Sequence, residues 1–112
     1  MSDLSKINVT MRVSAIKAAL RNHPAMLEKL LTPAGDSMNV EATPEALDFD
    51  EPADILVRLA WDIWNGSGET EFDKILDQLP QKDFDAFIDA MKEFSELRRK
   101  IWFCYASGSE DD

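Results

Sequence analysis

Apolar residues recur at helical spacing through most of this chain, and the exceptions are informative. Near the N-terminus Ile7, Val9, Met11 and Val13 alternate with Asn8, Thr10 and Arg12, which is a strand pattern. Val9, Val13, Ile16 and Leu20 also fall on one helical face, and Ser14 to Arg21 reads as helix in either case. No second run supplies a strong partner strand, so the pattern favours a helix from about Thr10. Pro24 is placed to open a short second helix carrying Leu27, Leu30 and Leu31, because a first-turn proline loses no hydrogen bond. Thr32 to Phe49, with Pro33, Gly35 and Pro44, reads as a long surface loop with a helical turn at Pro44 to Leu47.

Three more helices follow. Asp50 is placed as the N-cap of the third, with Pro52 in its first turn. Its polar residues Asp54, Arg58, Asp62 and Asn65 form one narrow row, and the remainder of Ile55 to Trp64 is apolar or small. Such a helix should be central and contacted from several sides. Gly66 stands where a left-handed residue would end it. The fourth shows a stripe of Phe72, Ile75, Leu76 and Leu79 before Pro80. The fifth runs from Asp83 to about Tyr105 with Phe87, Ala90, Phe94, Leu97, Ile101 and Cys104 on one side, widened by Phe84, Ile88 and Met91. These elements predict an all-α fold: a compact bundle of four to five helices in one domain over 1–106, with Ile7 to Val13 readable as a short N-terminal strand. The segment 107–112 reads as a flexible acidic tail.

Charge changes the picture more than composition does. The formal net charge is −10. Thr32 to Leu97 holds 17 acidic side chains against Arg58, Lys74, Lys82 and Lys92, whereas the first 31 residues are mildly basic. That excess disfavours direct contact with nucleic acid or an anionic membrane, and a basic protein surface is its natural complement. The longest apolar run, Ile101 to Ala106, is far too short to span a bilayer. With Cys104 as its one cysteine the chain has no internal disulfide, and a reducing, cytoplasmic setting is expected.

Catalytic chemistry finds little support. His23, the single histidine, lies at a helix junction, where a solvated or capping role is expected. Cys104 follows a long apolar stripe and reads as a buried structural thiol. Asn65-Gly66-Ser67-Gly68 precedes a helix but lacks the Lys-Ser/Thr of a phosphate loop, and Glu69, Glu71 and Asp73 would repel a phosphate there. A calcium loop starting at Asp48 would have Ala53 at its turn glycine and Leu59 at its final glutamate. No cofactor or dedicated metal site is expected, and no enzyme.

Binding is the better expectation. Trp61, Trp64 and Trp102 are read as core residues, with an exposed interface anchor as the alternative for one of them. The unusual feature is two acidic rows at four-residue spacing: Glu69, Asp73 and Asp77, then Asp85, Asp89 and Glu93. Each like-charge pair costs about 0.2–0.5 kcal/mol. Acids near helix N-termini are repaid by the dipole, but Asp77, Asp89 and Glu93 lie too far along. Lys92–Glu96 and Glu96–Lys100 read as ordinary helix-surface pairs. The expected site is therefore Asp73, Asp77, Asp85, Asp89 and Glu93, presented to a basic surface on a partner protein. Its most specific form is an inhibitor that mimics nucleic acid, in the manner of phage-type antagonists, a likeness of charge alone. Carboxylates on one row recur about every 6 Å, against a duplex charge about every 1.7 Å. The rival expectation is an assembly chaperone or adaptor docking through Trp102 and Tyr105. Oligomeric state is not legible from these patterns.

Overall fold

The computed structural model describes residues 2–108, with side chains described over 5–103. Six helices follow in order: α1 (Ser2–Ala19), α2 (Pro24–Leu30), α3 (Pro44–Leu47), α4 (Ala53–Asn65), α5 (Phe72–Gln78) and α6 (Gln81–Gly108). The all-α expectation holds, and among the described residues β structure is confined to one isolated bridge between Leu31 and Met38.

The N-terminal segment is helix throughout, starting eight residues before the expected Thr10. Its apparent strand alternation belongs to two helical stripes. Val13, Ile16 and Leu20 form one, Met11, Ala15 and Ala19 the other, and all six are buried. Two stripes are needed because α1 packs on both α6 and α4. Its first turns lie outside that contact, so Ile7 remains exposed.

α4 is the central helix that its narrow polar row predicts. Ile55, Leu56, Val57, Leu59, Ala60, Trp61 and Ile63 are all buried. Gly66 ends it at φ 80°, a left-handed conformation that costs glycine nothing, and its N–H reaches the carbonyls of Trp61 and Asp62. The start differs from expectation. Pro52, after a cis Glu51–Pro52 bond, occupies the N-cap position in place of Asp50. Asp50 contributes its backbone carbonyl to Asp54 N–H at 3.0 Å.

The stretch read as a surface loop is partly core. Met38, Ala42 and Pro44 are buried, and the indole N–H of Trp61 donates to the Ala42 carbonyl at 2.7 Å. A segment with few apolar residues is thereby pinned to α4 by one buried side chain. α3 is the expected turn, capped by Thr43 Oγ1 accepting from Ala46 N–H at 3.1 Å.

α5 corrects the sequence reading most clearly. Ile75 and Leu79 are buried, but Phe72 is 70% and Leu76 54% exposed. A seven-residue helix meets the body along one edge only, so half of its apolar stripe faces solvent.

α6 runs longer at both ends than expected and lies antiparallel to α1. Its buried face is Asp83, Ala86, Ala90 and Phe94, with Phe84, Phe87, Met91 and Ile101 packed beside it. Trp61 is buried and Trp64 half-buried, as expected, whereas Trp102 is 72% exposed. Ile101 still packs on the core, and Trp102, one residue on, is turned about 100° away from it toward solvent. The side chains of Cys104 and Tyr105 and the tail residues 109–112 lie outside the described residues; Ser107 and Gly108 belong to α6.

Trp61→Ala should cost about 3–5 kcal/mol, a large share of a small domain's stability, because it opens the core and releases the 32–49 segment. Trp61→Phe should cost about 1–3 kcal/mol by leaving the Ala42 carbonyl without its donor. Thermal melts by circular dichroism check both; a Trp61→Ala melt within a degree or two of wild type would contradict the central placement.

Candidate functional site

All five expected site carboxylates, Asp73, Asp77, Asp85, Asp89 and Glu93, are exposed. Asp73 and Asp77 lie on the outer side of α5 because Ile75 and Leu79 claim the inner edge. Asp85, Asp89 and Glu93 each precede a buried residue of α6, namely Ala86, Ala90 and Phe94, which turns each of them roughly 100° away from its buried neighbour and toward solvent. The two rows stand on separate helices joined by Leu79-Pro80.

Their pairing is uneven. Asp89 Oδ2 meets Arg21 Nη1 of the turn after α1 at 3.3 Å, with both side chains more than half exposed. Such a pair is worth about 0–1 kcal/mol. Asp85 accepts from Gln81 Nε2 at 2.9 Å. Among the described residues, Asp73, Asp77 and Glu93 enter no salt bridge. Neither do Lys92, Glu96 and Lys100, so the helix-surface pairs expected among those three are not formed.

Two cations of the acidic segment are engaged elsewhere. Arg58 donates from Nε to Asp54 at 2.8 Å and from Nη1 to the Gly68 carbonyl at 3.2 Å. The hydrogen bond to Asp54 is the main reason its pKa is raised. Lys74 ion-pairs with Glu51 and, at 3.6 Å, with Glu71; its hydrogen bond to Glu51 chiefly raises its pKa. Around them Glu51, Asp54, Arg58, Glu69, Thr70, Glu71 and Lys74 line a polar cleft of about 190 Å³. Thr70 Oγ1 is buried there without a hydrogen-bond partner. Among the described residues, no three His, Cys, Asp or Glu side chains converge as metal ligands.

The Gly66-to-Thr70 turn explains why it is unsuited to phosphate. Asp62 Oδ1 accepts from Gly68 N–H at 2.8 Å and Oδ2 from Thr70 N–H at 3.1 Å. The backbone donors that would receive an anion already hold an internal carboxylate. Gly68 is required by space: an added Cβ would lie 1.8 Å from the Arg58 carbonyl oxygen.

Two residues escaped the sequence reading. His23, expected to be solvated or capping, makes no side-chain cap to α2. Its Nε2 lies 2.9 Å from Oδ1 of Asp83, which is 1% exposed, the one buried charged side chain among the described residues. Asn22 Nδ2 reaches the same oxygen and the Lys82 carbonyl, each at 3.3 Å. Residues 21–23 thus clasp the start of α6. An open depression of about 390 Å³ beside them is lined by His23, Met26, Lys29 and Phe49, with the Lys29 ammonium 5.3 Å from the Phe49 ring centre. The second missed residue is Arg12. Its Nη1 donates to the carbonyls of Ile63 at 2.8 Å and Trp64 at 3.3 Å, and its guanidinium lies 5.8 Å from the Phe94 ring centre. Burial, then the nearby Arg98, lowers its pKa. A charged residue on the border of a buried helical stripe was the available signal for both Asp83 and Arg12.

Comparison of the chain with protein-family models, curated proteins and solved structures finds no match.

Gly68→Ala should destabilise by about 1–3 kcal/mol, since the turn must shift away from the α4 backbone. Chemical denaturation checks it, and an unchanged midpoint would contradict the close approach. The raised Lys74 pKa makes a pH prediction. Its ion pairs contribute fully below the ordinary lysine value, about 10.4, and are lost as pH rises through the raised one. The melting-temperature difference between wild type and Lys74→Met should therefore stay constant from about pH 7 to 9 and shrink in strong alkali.

Proposed function

We propose that this chain is a non-catalytic binding protein whose exposed carboxylates on α5 and α6 dock onto a basic surface of a partner protein. The observation that carries the reading is the state of Asp73, Asp77 and Glu93. They are exposed and, among the described residues, enter no salt bridge, while Arg58 and Lys74 are held by other acids. Mutual repulsion along these rows disfavours the folded state, and a cationic partner relieves it. In its most specific form the protein is an inhibitor that occludes a nucleic-acid-binding surface. The supporting argument is the density of negative charge on helical rows, which resembles a phosphate array only roughly.

A second reading, apolar docking by an adaptor or assembly chaperone, is favoured by one observation: Trp102 stands 72% exposed near the end of α6. Tryptophan is enriched among residues that anchor interfaces. Salt separates the two readings, because binding through carboxylates weakens steeply as ionic strength rises and apolar docking does not.

The test uses a partner captured from the native host, identified by mass spectrometry and then purified. The triple variant Asp77→Asn, Asp89→Asn, Glu93→Gln should fold with unchanged or slightly higher stability. Its association rate should fall about tenfold at low salt and its salt dependence should flatten. Duplex DNA should compete with the wild-type protein for the partner if the occlusion form is correct. Unchanged affinity and salt slope in the triple variant, with loss of binding in Trp102→Ala, would transfer the function to the apolar end.

A further inference from the structure

The outer face of α6, directly opposite the face that packs on the body, carries a second pattern. Asp85, Asp89, Lys92, Glu96, Arg99 and Phe103 follow one another at alternating spacings of four and three residues, and all six are exposed. That is the spacing of the contact seam in paired helices. Over these five turns the row spans roughly 27 Å. About position 94 the row places opposite charges at equal distances. Lys92 and Glu96 stand two residues to either side, Asp89 and Arg99 five residues, and Asp85 and Phe103 nine residues.

We infer that this face binds a second copy of the chain, α6 against α6 in antiparallel orientation, about a two-fold axis on the outer side of α6 at the level of Phe94. In an antiparallel pair each residue meets the one equally far on the other side of the axis. Asp89 then faces Arg99 of the second copy, Lys92 faces Glu96, and the two-fold repeats both contacts. Within the seam itself no like charges meet; on the flank opposite Trp102 the two exposed Glu93 side chains come beside each other at the axis, which further limits the strength of the pairing. At either end the Phe103 ring, whose edge is partially positive, comes beside the Asp85 carboxylate. On one flank the same register brings Trp102 next to Ile88 of the second copy. Ile88 is half-buried and Trp102 is 72% exposed, so the pairing covers the largest uncovered aromatic of α6.

Charge complementarity selects this occupant. A purely acidic row would repel its own copy, and a purely basic one would too. Here Asp89 and Lys92 on one side of the midpoint are complementary to Arg99 and Glu96 on the other, and the antiparallel arrangement is the one that aligns them. Among the described residues, Lys92, Glu96 and Arg99 enter no salt bridge, so no such internal pair needs to break. Asp89 shares its carboxylate with Arg21 through a pair that is more than half exposed on both sides, leaving its other oxygen for Arg99. A seam made chiefly of exposed ion pairs gives weak, reversible association. The interface is isologous and closes at two copies. It also covers Asp85 and Asp89, so self-association and docking of a basic partner compete for one surface. The inference does not rest on the partner reading, since it is measured on the purified chain alone.

Sedimentation equilibrium of the full chain tests it. Dimers should form at about 0.1–1 mM in 50 mM salt and dissociate toward 500 mM salt. Asp89→Arg alone and Arg99→Asp alone should each weaken association about tenfold, because each turns two attractive contacts into two repulsive ones. An equimolar mixture of these two variants should recover association, as both cross-contacts then match, and so should the double variant Asp89→Arg, Arg99→Asp. Circular dichroism of each variant should match wild type, since the one contact of the row with the body, Asp89 with Arg21, is an exposed pair worth about 0–1 kcal/mol. A chain that stays monomeric at 1 mM in low salt overturns the inference. So does a dimer indifferent to both reversals, a mixture that fails to recover, or a dimer lost only with Trp102→Ala.

Discussion

The packing of this protein turns on one guanidinium. Arg12 projects from α1 to the last carbonyls of α4 and lies against the Phe94 ring of α6, so a single side chain ties together the three helices that enclose the core. The physical need is at the end of α4. Its final carbonyls have no partner inside the helix and carry the negative end of its dipole, close to a body otherwise filled with apolar atoms. A neutral side chain would leave them unmet. A flexible cation with an apolar stem satisfies them while its alkyl portion remains in the packed region. The partial burial that lowers its pKa is the cost of that position.

The same logic sorts the many acids of the chain. Most are solvated, but Asp62 and Asp83 are turned inward, and each organises backbone or side-chain donors from a neighbouring segment. Asp62 closes the turn after α4 by accepting two backbone N–H groups. Asp83 anchors the junction between α1 and α2 through Asn22 and His23. A carboxylate surrounded by preplaced donors tolerates burial that an isolated one would not. The negative surface field is therefore what remains after the internal uses of negative charge are met. Its uncompensated members on α5 and α6 are the ones to which binding is assigned.

α6 joins the two scales of this description. Its inner face supplies small residues, Ala86 and Ala90, that let α1 approach closely, and then Phe94 beneath Arg12. Its outer face carries charge of both signs. Because α6 is 28 residues long and the molecule measures 52 × 29 × 21 Å, the helix continues past the body. The availability of a continuous charged row follows from that length, and Trp102 is exposed because it stands off the line on which Ile101 still meets the core.

Local pattern alone determined the helical class, the central position of α4, its glycine stop at Gly66 and the burial of Trp61. These depend on periodicity and on backbone conformations that neighbouring residues dictate. The exposed state of Asp73, Asp77, Asp85, Asp89 and Glu93 was also legible, because an acid opposite an apolar stripe has no other place to go. Tertiary structure decided what periodicity leaves open. Two overlapping stripes in α1 look like strand alternation until both α4 and α6 are present to bury them. Phe72 and Leu76 have the spacing of a core edge, but α5 meets the body along too narrow a line to cover them. Met38 and Ala42 enter the core because Trp61 reaches across to the Ala42 carbonyl, a contact between residues 19 positions apart. His23, Asp83 and Arg12 acquired their roles from partners in distant segments, at separations of 51 residues and more, where sequence spacing carries no distance information.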